Sequence, residues 1–328
     1  MLAVSPEVVC RHFTMSSKPH YRLVQTAAGV RMVPTKAAPP PPPSWRAYAR
    51  LMRLDKPVGI LLLLWPTLWA LLLAANGVPP LGTLAIFVAG VVLTRSAGCV
   101  INDYADRWLD PNVERTKTRP LATGEVTPRG ALTLFAILML TALCLVLLTN
   151  TLTIALAVVA AVLAVVYPFC KRVIAFPQVI LGAAFSMAIP MAYTAVRGEI
   201  DPVAVLVFCA NLLWTTAYDT LYAMVDRDDD IQAGAKSTAI LFGDLDLVAT
   251  GILHASALGT LALVGHRAEL GGPYYVGLGF AAALMAWQLW YARDREREAC
   301  FAAFKANNWV GLAITVGLAV ALIANTQP

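Results

Sequence analysis

Apolar stretches of about 17–21 residues recur along this chain from Val58 onward, and they constrain its fold more than any other feature. A helix of that length is what is needed to cross a hydrocarbon core of about 30 Å. Inside a membrane, only helices or closed barrels satisfy the backbone polar groups. Barrel strands alternate polar and apolar residues, whereas GILLLLWPTLWALLLAA (residues 59–75) does not alternate. The sequence therefore predicts an all-α, polytopic membrane protein.

About nine transmembrane helices are predicted. They cover residues 58–76, 83–101, 131–149, 151–168, 175–195, 203–221, 245–264, 274–292 and 307–324. Composition agrees with this interpretation, because 59% of the 328 residues are hydrophobic and 14% are charged. Soluble proteins carry about 25% charged residues. A soluble globular fold is excluded, and so is disorder for the bulk of the chain.

Residues 1–44 differ from the remainder, since they carry five basic residues against one acid and end in five consecutive prolines. We predict that they form a disordered, basic and proline-rich extension. Its composition is compatible with a mitochondrial presequence, or with a leader upstream of a start at Met15. The membrane domain is predicted to cover 45–328, in two direct halves of about 45–170 and 171–328.

Basic residues mark one side of the predicted membrane. With nine spans, the N-terminus and the even-numbered loops lie on the same side, and those loops carry thirteen Lys and Arg residues. The odd-numbered loops carry only Arg197 and Arg267. The positive-inside rule places the even loops in the cytoplasm, or in the matrix of a mitochondrion. Because topology explains the net charge of +5, we expect no nucleic-acid partner, and no protein partner is inferred.

Carboxylates gather at the cytoplasmic ends of two predicted spans. At about 100° per residue, three aspartates at each end share one helix face within about 40–60°. They are Asp103, Asp106 and Asp110 at the first, and Asp219, Asp226 and Asp230 at the second. Stacked carboxylates repel one another without a cation, and oxygen ligands select Mg²⁺. The simpler alternative is that these acids are solvated loop residues, which is the interpretation favoured for Asp228 and Asp229.

Basic side chains follow both clusters along the chain. They are Lys117, Arg119, Lys171, Arg172 and Lys236. Carboxylates that hold Mg²⁺, with Lys and Arg close by, are typical of a diphosphate site. For Lys171 and Arg172, an ordinary role as membrane anchors is an equally good interpretation.

Arg95 lies inside the second predicted span, where a charge costs at least about 2.5–3.5 kcal/mol and indicates a function by default. It shares a helix face with Asn102 and Asp106, and it would sit about 10 Å deeper than Asn102. Two roles are open for Arg95. It pairs with an anionic group of a substrate, or it offsets the carboxylates above it.

Two motifs of the chain match a known pattern. Asn102 to Asp110 reads NDxxDxxxD, and Asp219 to Asp230 reads DxxYAxxDxxxD. Further matching segments are RLDKP (53–57), ERTKTRPLATG (114–124), YPFCKR (167–172) and GAKSTAILFG (234–243). With these motifs, the chain resembles the UbiA superfamily of intramembrane aromatic prenyltransferases over about residues 45–325, and its 4-hydroxybenzoate branch most of all.

The resemblance implies nine helices around a central cavity, which the second and sixth loops cap. It implies transfer of a polyprenyl group from polyprenyl diphosphate to the ring carbon ortho to the hydroxyl of 4-hydroxybenzoate, in ubiquinone biosynthesis. Mg²⁺ is the implied cofactor, and the prenyl tail would lie along apolar helices that face the lipid bilayer. The style of the loop sequences resembles bacterial proteins, which favours a bacterial inner membrane over a mitochondrial inner membrane.

The resemblance also implies roles for individual residues. The implied Mg²⁺ ligands are Asn102, Asp106, Asp110, Asp226 and Asp230, with Asp103 in support. The implied substrate-binding residues are Arg53, Arg95, Lys117, Arg119, Tyr167, Lys171, Arg172, Tyr222 and Lys236. Asp219 and Arg172 are the implied catalytic residues, where Asp219 stabilises an allylic cation or polarises the phenol. Arg53 or Arg95 would hold the carboxylate of the aromatic acceptor.

Two alternatives to this activity stay open at this point. The same chemistry can act on another acceptor, such as homogentisate, a naphthoate or a haem precursor. A cation-coupled transporter would use Arg95 and the aspartates as its path, and it predicts carboxylates near the membrane midplane together with inverted repeats.

Overall fold

A computed structural model describes residues 21–26, 29–34, 44–107, 110, 115–170 and 172–325 of the chain. It divides into two units, Met1–Pro42 and Pro43–Pro328. The described residues of the first unit form an antiparallel hairpin of strands β1 (Tyr21–Thr26) and β2 (Gly29–Pro34). Disorder was the expectation for this whole extension, so the hairpin departs from it. The proline run and Met15 lie outside the described residues, and the domain boundaries stay a prediction.

The second unit is built from helices. They are α1 (Trp45–Leu51), α2 (Val58–Ala75), α3 (Leu81–Asp106), α4 (Pro128–Val146), α5 (Thr151–Cys170), α6 (Pro177–Ser186), α7 (Ala188–Arg197), α8 (Pro202–Val225), α9 (Arg227–Ala233), α10 (Thr238–Phe242), α11 (Asp246–Arg267), α12 (Gly272–Tyr291) and α13 (Arg297–Asn325). A short 3₁₀ turn, Gly243–Leu245, joins α10 to α11.

Eight helical stretches among the described residues are long and apolar enough to cross a membrane. Six are single helices, namely α2, α3, α4, α5, α8 and α13. The other two are composite, because α6 and α7 together form Pro177–Arg197, and Thr238–Arg267 runs from α10 through α11. The predicted span 274–292 corresponds to α12, which has 20 residues but several aromatic and polar ones. The predicted all-α membrane architecture is confirmed, although α12 is not among the eight stretches that are apolar enough.

The ends of α3 and α8 carry the two aspartate motifs. Both helices continue beyond the apolar stretch that predicted them, α3 to Asp106 and α8 to Val225. The start of α8 is well defined, because the Asp201 side chain accepts a hydrogen bond from the Ala204 amide at 2.8 Å and Pro202 occupies the first helical position. The first motif therefore begins on α3 and ends at Asp110, beyond that helix. The second begins on α8, passes the junction at Asp226 and ends at Asp230 on α9.

Aromatic rings and one buried amide hold the core around α8. Trp214 stacks on Trp69 and meets Tyr218 edge-on, with ring centroids 5.3 Å apart in each pair. The Trp214 indole donates a hydrogen bond of 2.8 Å to Asn307 on α13, and the Asn307 amide donates to Gln288 on α12 at 3.1 Å. Buried hydrogen bonds of this kind favour one arrangement of the packed helices.

Small residues bring α12 and α13 close together. A Cβ atom on Gly277 would lie 2.7 Å from the carbonyl oxygen of Ala313, and one on Gly317 would lie 2.9 Å from that of Pro273. Contacts that short leave room for glycine only, as is common where membrane helices approach closely.

Helices α4 and α5 form a hairpin that buries few of its apolar side chains and leaves about half of them exposed. The hairpin is attached at its turn, where the Asn150 amide donates to the Thr194 carbonyl on α7 and the Thr153 and Thr194 hydroxyls lie 2.8 Å apart. An exposed apolar surface of this size marks a contact with lipid or with another apolar partner.

Candidate active site

A cavity of about 1470 Å³ lies among α2 to α8 and the first turns of α13. The carboxyl ends of α3 and α8 supply its acidic side chains, and α4 and α5 supply an apolar side. The acidic and amide side chains from the two motifs that line it are Asn102, Asp103, Asp106, Asp110, Asp219, Asp226 and Asp230. The two motifs, separated by more than 100 residues in sequence, therefore face the same space.

Most of these carboxylates are removed from solvent. Asp103, Asp106, Asp110, Asp219 and Asp226 are all buried, at 9% exposure or less. A buried charge is costly unless an opposite charge or a cation compensates it. For Asp103, Asp110 and Asp226 that compensation comes from arginines.

Two arginines hold the first motif. Arg53 donates to both carboxylate oxygens of Asp103 at 2.9 Å, and its own backbone has a φ of 59°, in the left-handed region. Arg119 contacts Asp103 at 2.9 Å and Asp110 at 3.0 Å. Burial raises the pKa of Asp110 to about 6 against the opposing effect of Arg119, and the neighbouring Asp103 and Asp106 add to the rise. The acidic character of the motif is thus balanced by neighbouring guanidinium groups.

A third arginine, in the segment that follows the first motif, binds the second motif. The Arg115 side chain donates from Nε to the two oxygens of Asp226 at 2.9 and 3.1 Å, and a further bond runs from its Nη2. The guanidinium carbon also lies 4.8 Å from the centroid of the Tyr222 ring, one helical turn before Asp226. Arg115 was not among the site residues predicted from the sequence. Its position in the ERTKTRPLATG segment, next to Lys117 and Arg119, was the signal that could have identified it.

The other predicted phosphate-binding cations are spread more widely than expected. Lys236 lines the cavity and donates to the carbonyl of Val173 at 2.8 Å. Arg172 is outside the cavity lining and donates to the carbonyl of Ala105 at 2.8 Å, next to Asp106. Lys117 is exposed and also outside the lining. The predicted residue Lys171 lies outside the described residues.

Arg95 extends into the cavity from the middle of α3. Its guanidinium carbon lies 5.6 Å from the ring centroid of Phe185, and Nη1 donates to the sulfur of Cys99 at 3.1 Å. Among the described residues, no carboxylate forms an ion pair with it. Gly59 of α2 lies against the guanidinium, because a Cβ atom there would be 2.6–2.9 Å from it. Tyr167 and Tyr222 line the same cavity.

Further charged residues at the cavity were not predicted from the sequence. The first turns of α13 contribute Arg297 and Lys305, and the loop after α1 contributes Lys56. Arg297 pairs with both oxygens of Asp229, at 2.9 and 3.2 Å. The expectation that Asp229 is merely solvated is therefore wrong, whereas Asp228 is largely exposed.

The donor chemistry of the cavity fits a hard divalent cation. Its candidate ligands are carboxylate and amide oxygens, which Mg²⁺ prefers. In the part of the chain that the structure describes, no group of three or more His, Cys, Asp or Glu side chains is already arranged around a metal position. Arginines hold Asp103, Asp110 and Asp226 instead. Asn102, Asp106, Asp110, Asp226 and Asp230 are the residues that would hold the ion.

This fold and cavity define a polytopic helical membrane protein whose cavity is acidic at one end and apolar along one side. The comparison with known families agrees, since the model of the UbiA prenyltransferase family matches residues 63–312. The chain belongs to the UbiA prenyltransferase family. It is an enzyme of the prenyl-transferring class, and the predicted resemblance is confirmed.

Relatives and solved structures extend the likeness over most of the chain. It is 60% identical over 294 residues to a 4-hydroxybenzoate octaprenyltransferase of Xanthomonas euvesicatoria, covering 90% of this chain and 98% of that protein. Another 4-hydroxybenzoate octaprenyltransferase, of Xylella fastidiosa, is 60% identical over 274 residues, with 84% and 92% covered.

Two solved structures share the fold. The apo structure of a UbiA homolog from Aeropyrum pernix K1 has a TM-score of 0.71 at 25% identity, covering 79% of this chain and 97% of that one. The structure of a UbiA homolog from Archaeoglobus fulgidus bound to GPP and Mg²⁺ has a TM-score of 0.66 at 21% identity, covering 85% and 99%.

Proposed function

We propose that this enzyme transfers a polyprenyl group from polyprenyl diphosphate to 4-hydroxybenzoate, at the ring carbon ortho to the hydroxyl, in ubiquinone biosynthesis. The observation that carries the proposal is the meeting of two aspartate motifs at one cavity that continues along apolar helices. Support also comes from the 4-hydroxybenzoate octaprenyltransferases that are about 60% identical over nearly their full length.

The diphosphate end of the cavity is where the donor would be activated. Mg²⁺, held by the aspartates of both motifs and Asn102, would neutralise the diphosphate and favour its departure. The use of Mg²⁺ is supported by the donor chemistry and by the archaeal homolog bound to GPP and Mg²⁺. Arg119 and Lys236 line the cavity and would contact the diphosphate oxygens. Arg172 would act through its hydrogen bond to Ala105, by holding the end of α3 in place.

The new carbon–carbon bond would form deeper in the membrane than the diphosphate. The bond between the allylic carbon and the diphosphate oxygen breaks, the ring carbon bonds to the allylic carbon, and the ring then loses a proton to a base. Asp219 is buried in the cavity wall, where it would stabilise the allylic cation or accept a hydrogen bond from the phenol. The apolar walls from α4 and α5 would protect the cation from water.

Arg95 is the better candidate for the acceptor carboxylate. Arg53 already donates from Nη2 to both oxygens of Asp103, whereas Arg95 faces the cavity without a carboxylate partner among the described residues. An arginine in a low-dielectric site binds a carboxylate strongly. Phe185 and Tyr167 lie near enough in the same cavity to flank the aromatic ring.

We propose a bacterial inner membrane as the location, with the two motif loops facing the cytoplasm. The relatives come from Xanthomonas and Xylella, and the basic residues of the even loops favour this orientation. Labelling single cysteines in the loops of intact cells with a membrane-impermeant maleimide would test it. Labelling of the motif loops from the periplasm would refute the orientation.

The proposal is tested by product analysis in membranes that contain the enzyme. Supplied with 4-hydroxybenzoate and a polyprenyl diphosphate, they should form 3-polyprenyl-4-hydroxybenzoate, as detected by mass spectrometry. Asp106→Ala and Asp226→Ala should each abolish turnover, while Asp228→Ala is a matched control at an exposed aspartate of the same segment. Near-normal kcat in either of the first two variants would show that the two-motif site is wrong.

An acceptor panel distinguishes the remaining candidates for the substrate. Homogentisate, a dihydroxynaphthoate and a haem precursor should each react far more slowly than 4-hydroxybenzoate. A faster reaction with any of them would move the assignment to that acceptor and leave the prenyl-transfer chemistry unchanged. Cation transport has less support, because the aspartate motifs lie in the last turns of α3 and α8 rather than at mid-helix.

A further inference from the structure

Arg115 is a charged residue of the cavity whose position the proposed reaction does not explain. It belongs to the segment that follows the first motif, yet its guanidinium binds Asp226 of the second motif, 111 residues away. Asp226 is buried, so its charge needs a cation in every state of the enzyme. Arg115 supplies that cation in the described structure, at the carboxylate that would hold Mg²⁺.

We infer that Arg115 is an internal counterion that the incoming metal displaces from Asp226, after which the same guanidinium binds the diphosphate of the donor. This inference rests on the proposed metal site. Bidentate contact with Asp226 occupies the oxygens that a metal would use. Guanidinium and metal therefore compete for one carboxylate, and the arginine weakens binding of the metal alone.

Tyr222 determines where the released guanidinium can go. Its ring lies 4.8 Å from the guanidinium carbon and also packs against Phe304, with centroids 4.6 Å apart. Contact with the ring face does not depend on Asp226, so Arg115 stays at the cavity wall when the ion pair opens. An arginine at that place matches the bidentate geometry of phosphate oxygens.

The exchange has a thermodynamic consequence. Binding of the metal alone must break the ion pair between Arg115 and Asp226. When metal and diphosphate bind together, an ion pair between Arg115 and the diphosphate replaces it. The two ligands should therefore bind cooperatively, because each lowers the cost of binding the other. Arg115 is the residue that produces this coupling, because it binds Asp226 in the absence of the ligands and the diphosphate in their presence.

Two binding measurements on the purified full-length protein test the inference. Mn²⁺ binding without substrate is followed by the loss of its free electron paramagnetic resonance signal. Binding of geranyl thiolodiphosphate, an analogue that ionises slowly, is followed by calorimetry at saturating Mn²⁺. Arg115→Gln should bind Mn²⁺ alone about tenfold more tightly and the analogue about tenfold more weakly. Arg115→Lys keeps the positive charge but lacks the paired N–H donors of the guanidinium. It should shift both affinities in the same directions by smaller factors.

The opposite signs separate this role from a structural one. If Arg115 only stabilised the fold, its loss would weaken both affinities, and that result would overturn the inference, as would two unchanged affinities. Arg293→Gln is the matched control, since it removes one guanidinium from an exposed ion pair with Asp294 and should change neither affinity. Should Arg115→Gln fail to fold, the result with Arg115→Lys decides.

A further variant separates failure of this inference from failure of the proposed function. Asp226→Asn should lose Mn²⁺ binding. If the wild-type protein binds no Mn²⁺, or binds it independently of Asp226, the metal site itself is wrong and the inference falls with it. If binding depends on Asp226 but Arg115→Gln does not tighten it, only the counterion role is refuted.

Discussion

Gly59→Ala gives a direct test of whether Arg95 binds the acceptor. The new Cβ atom would lie 2.6 Å from the nearest guanidinium nitrogen and 2.7 Å and 2.9 Å from the next two atoms. Since ordinary contacts begin near 3.4 Å, the guanidinium must move by nearly 1 Å. A long side chain can make that shift at little cost to the fold, but its bond to a bound carboxylate would be lost.

The expected effect is a selective rise in the KM for 4-hydroxybenzoate. A hydrogen bond to a charged group contributes about 1.5–3 kcal/mol, which corresponds to a rise of roughly 10- to 150-fold. The KM for the polyprenyl diphosphate should stay within about twofold, because Gly59 contacts Arg95 and not the aspartate motifs. Steady-state kinetics in detergent or nanodiscs, with each substrate varied in turn, measures both values.

Two comparisons make this test specific. Gly90→Ala is the matched control, since Gly90 also lines the cavity and a Cβ atom there meets nothing within 4 Å. The methyl ester of 4-hydroxybenzoate, which lacks the negative charge, should be used equally poorly by Gly59→Ala and by the wild type. An unchanged KM for the acid in Gly59→Ala, or an equal rise with Gly90→Ala, would refute the assignment of Arg95.

Three further predictions concern the metal and the buried polar groups. Chelation with EDTA should stop product formation and added Mg²⁺ should restore it, so activity that survives full chelation would contradict the metal role. Arg119→Ala leaves Asp103 and Asp110 undercompensated and should destabilise the metal-free protein by about 3 kcal/mol, seen as a lower midpoint of thermal unfolding. An unchanged midpoint would mean that the ion pairs of Arg119 with Asp103 and Asp110 contribute nothing to stability. Asn307→Leu removes the partner of the Trp214 indole and should cost about 1–3 kcal/mol in the same assay, whereas a neutral result would indicate that the buried network is dispensable.

The helical architecture was predictable because lipid leaves the backbone few options. Apolar length located the spans, and helical periodicity grouped the aspartates on common faces. The same signal could not locate the break at Met187 that divides one span into α6 and α7. It also placed the end of the second span at residue 101, five residues before α3 ends at Asp106. Hydropathy reports where the hydrocarbon ends, and a helix can continue into the polar region.

The arginine partners of the aspartates were not predictable in the same way. Arg115 and Asp226 meet through loops whose course depends on tertiary packing, so sequence spacing contains no measure of their distance. Lys117 and Arg119 illustrate the limit, because they are two residues apart and only Arg119 lines the cavity. Motif membership identified the basic segments, but it did not tell which side chain of each segment points inward.

The α4–α5 hairpin affects which chain lengths of the prenyl donor the enzyme accepts. One side of the cavity is formed by two helices that share a turn fixed through Asn150 and Thr153. Beyond that turn, α4 packs along α3 and α5 packs on α6 and α7, while α4 and α5 contact each other little. The gap between α4 and α5 is therefore free to change with the lateral pressure and thickness of the bilayer. A rigid tunnel would select a chain length by its depth, whereas this wall would tolerate donors of several lengths and change its preference with lipid composition.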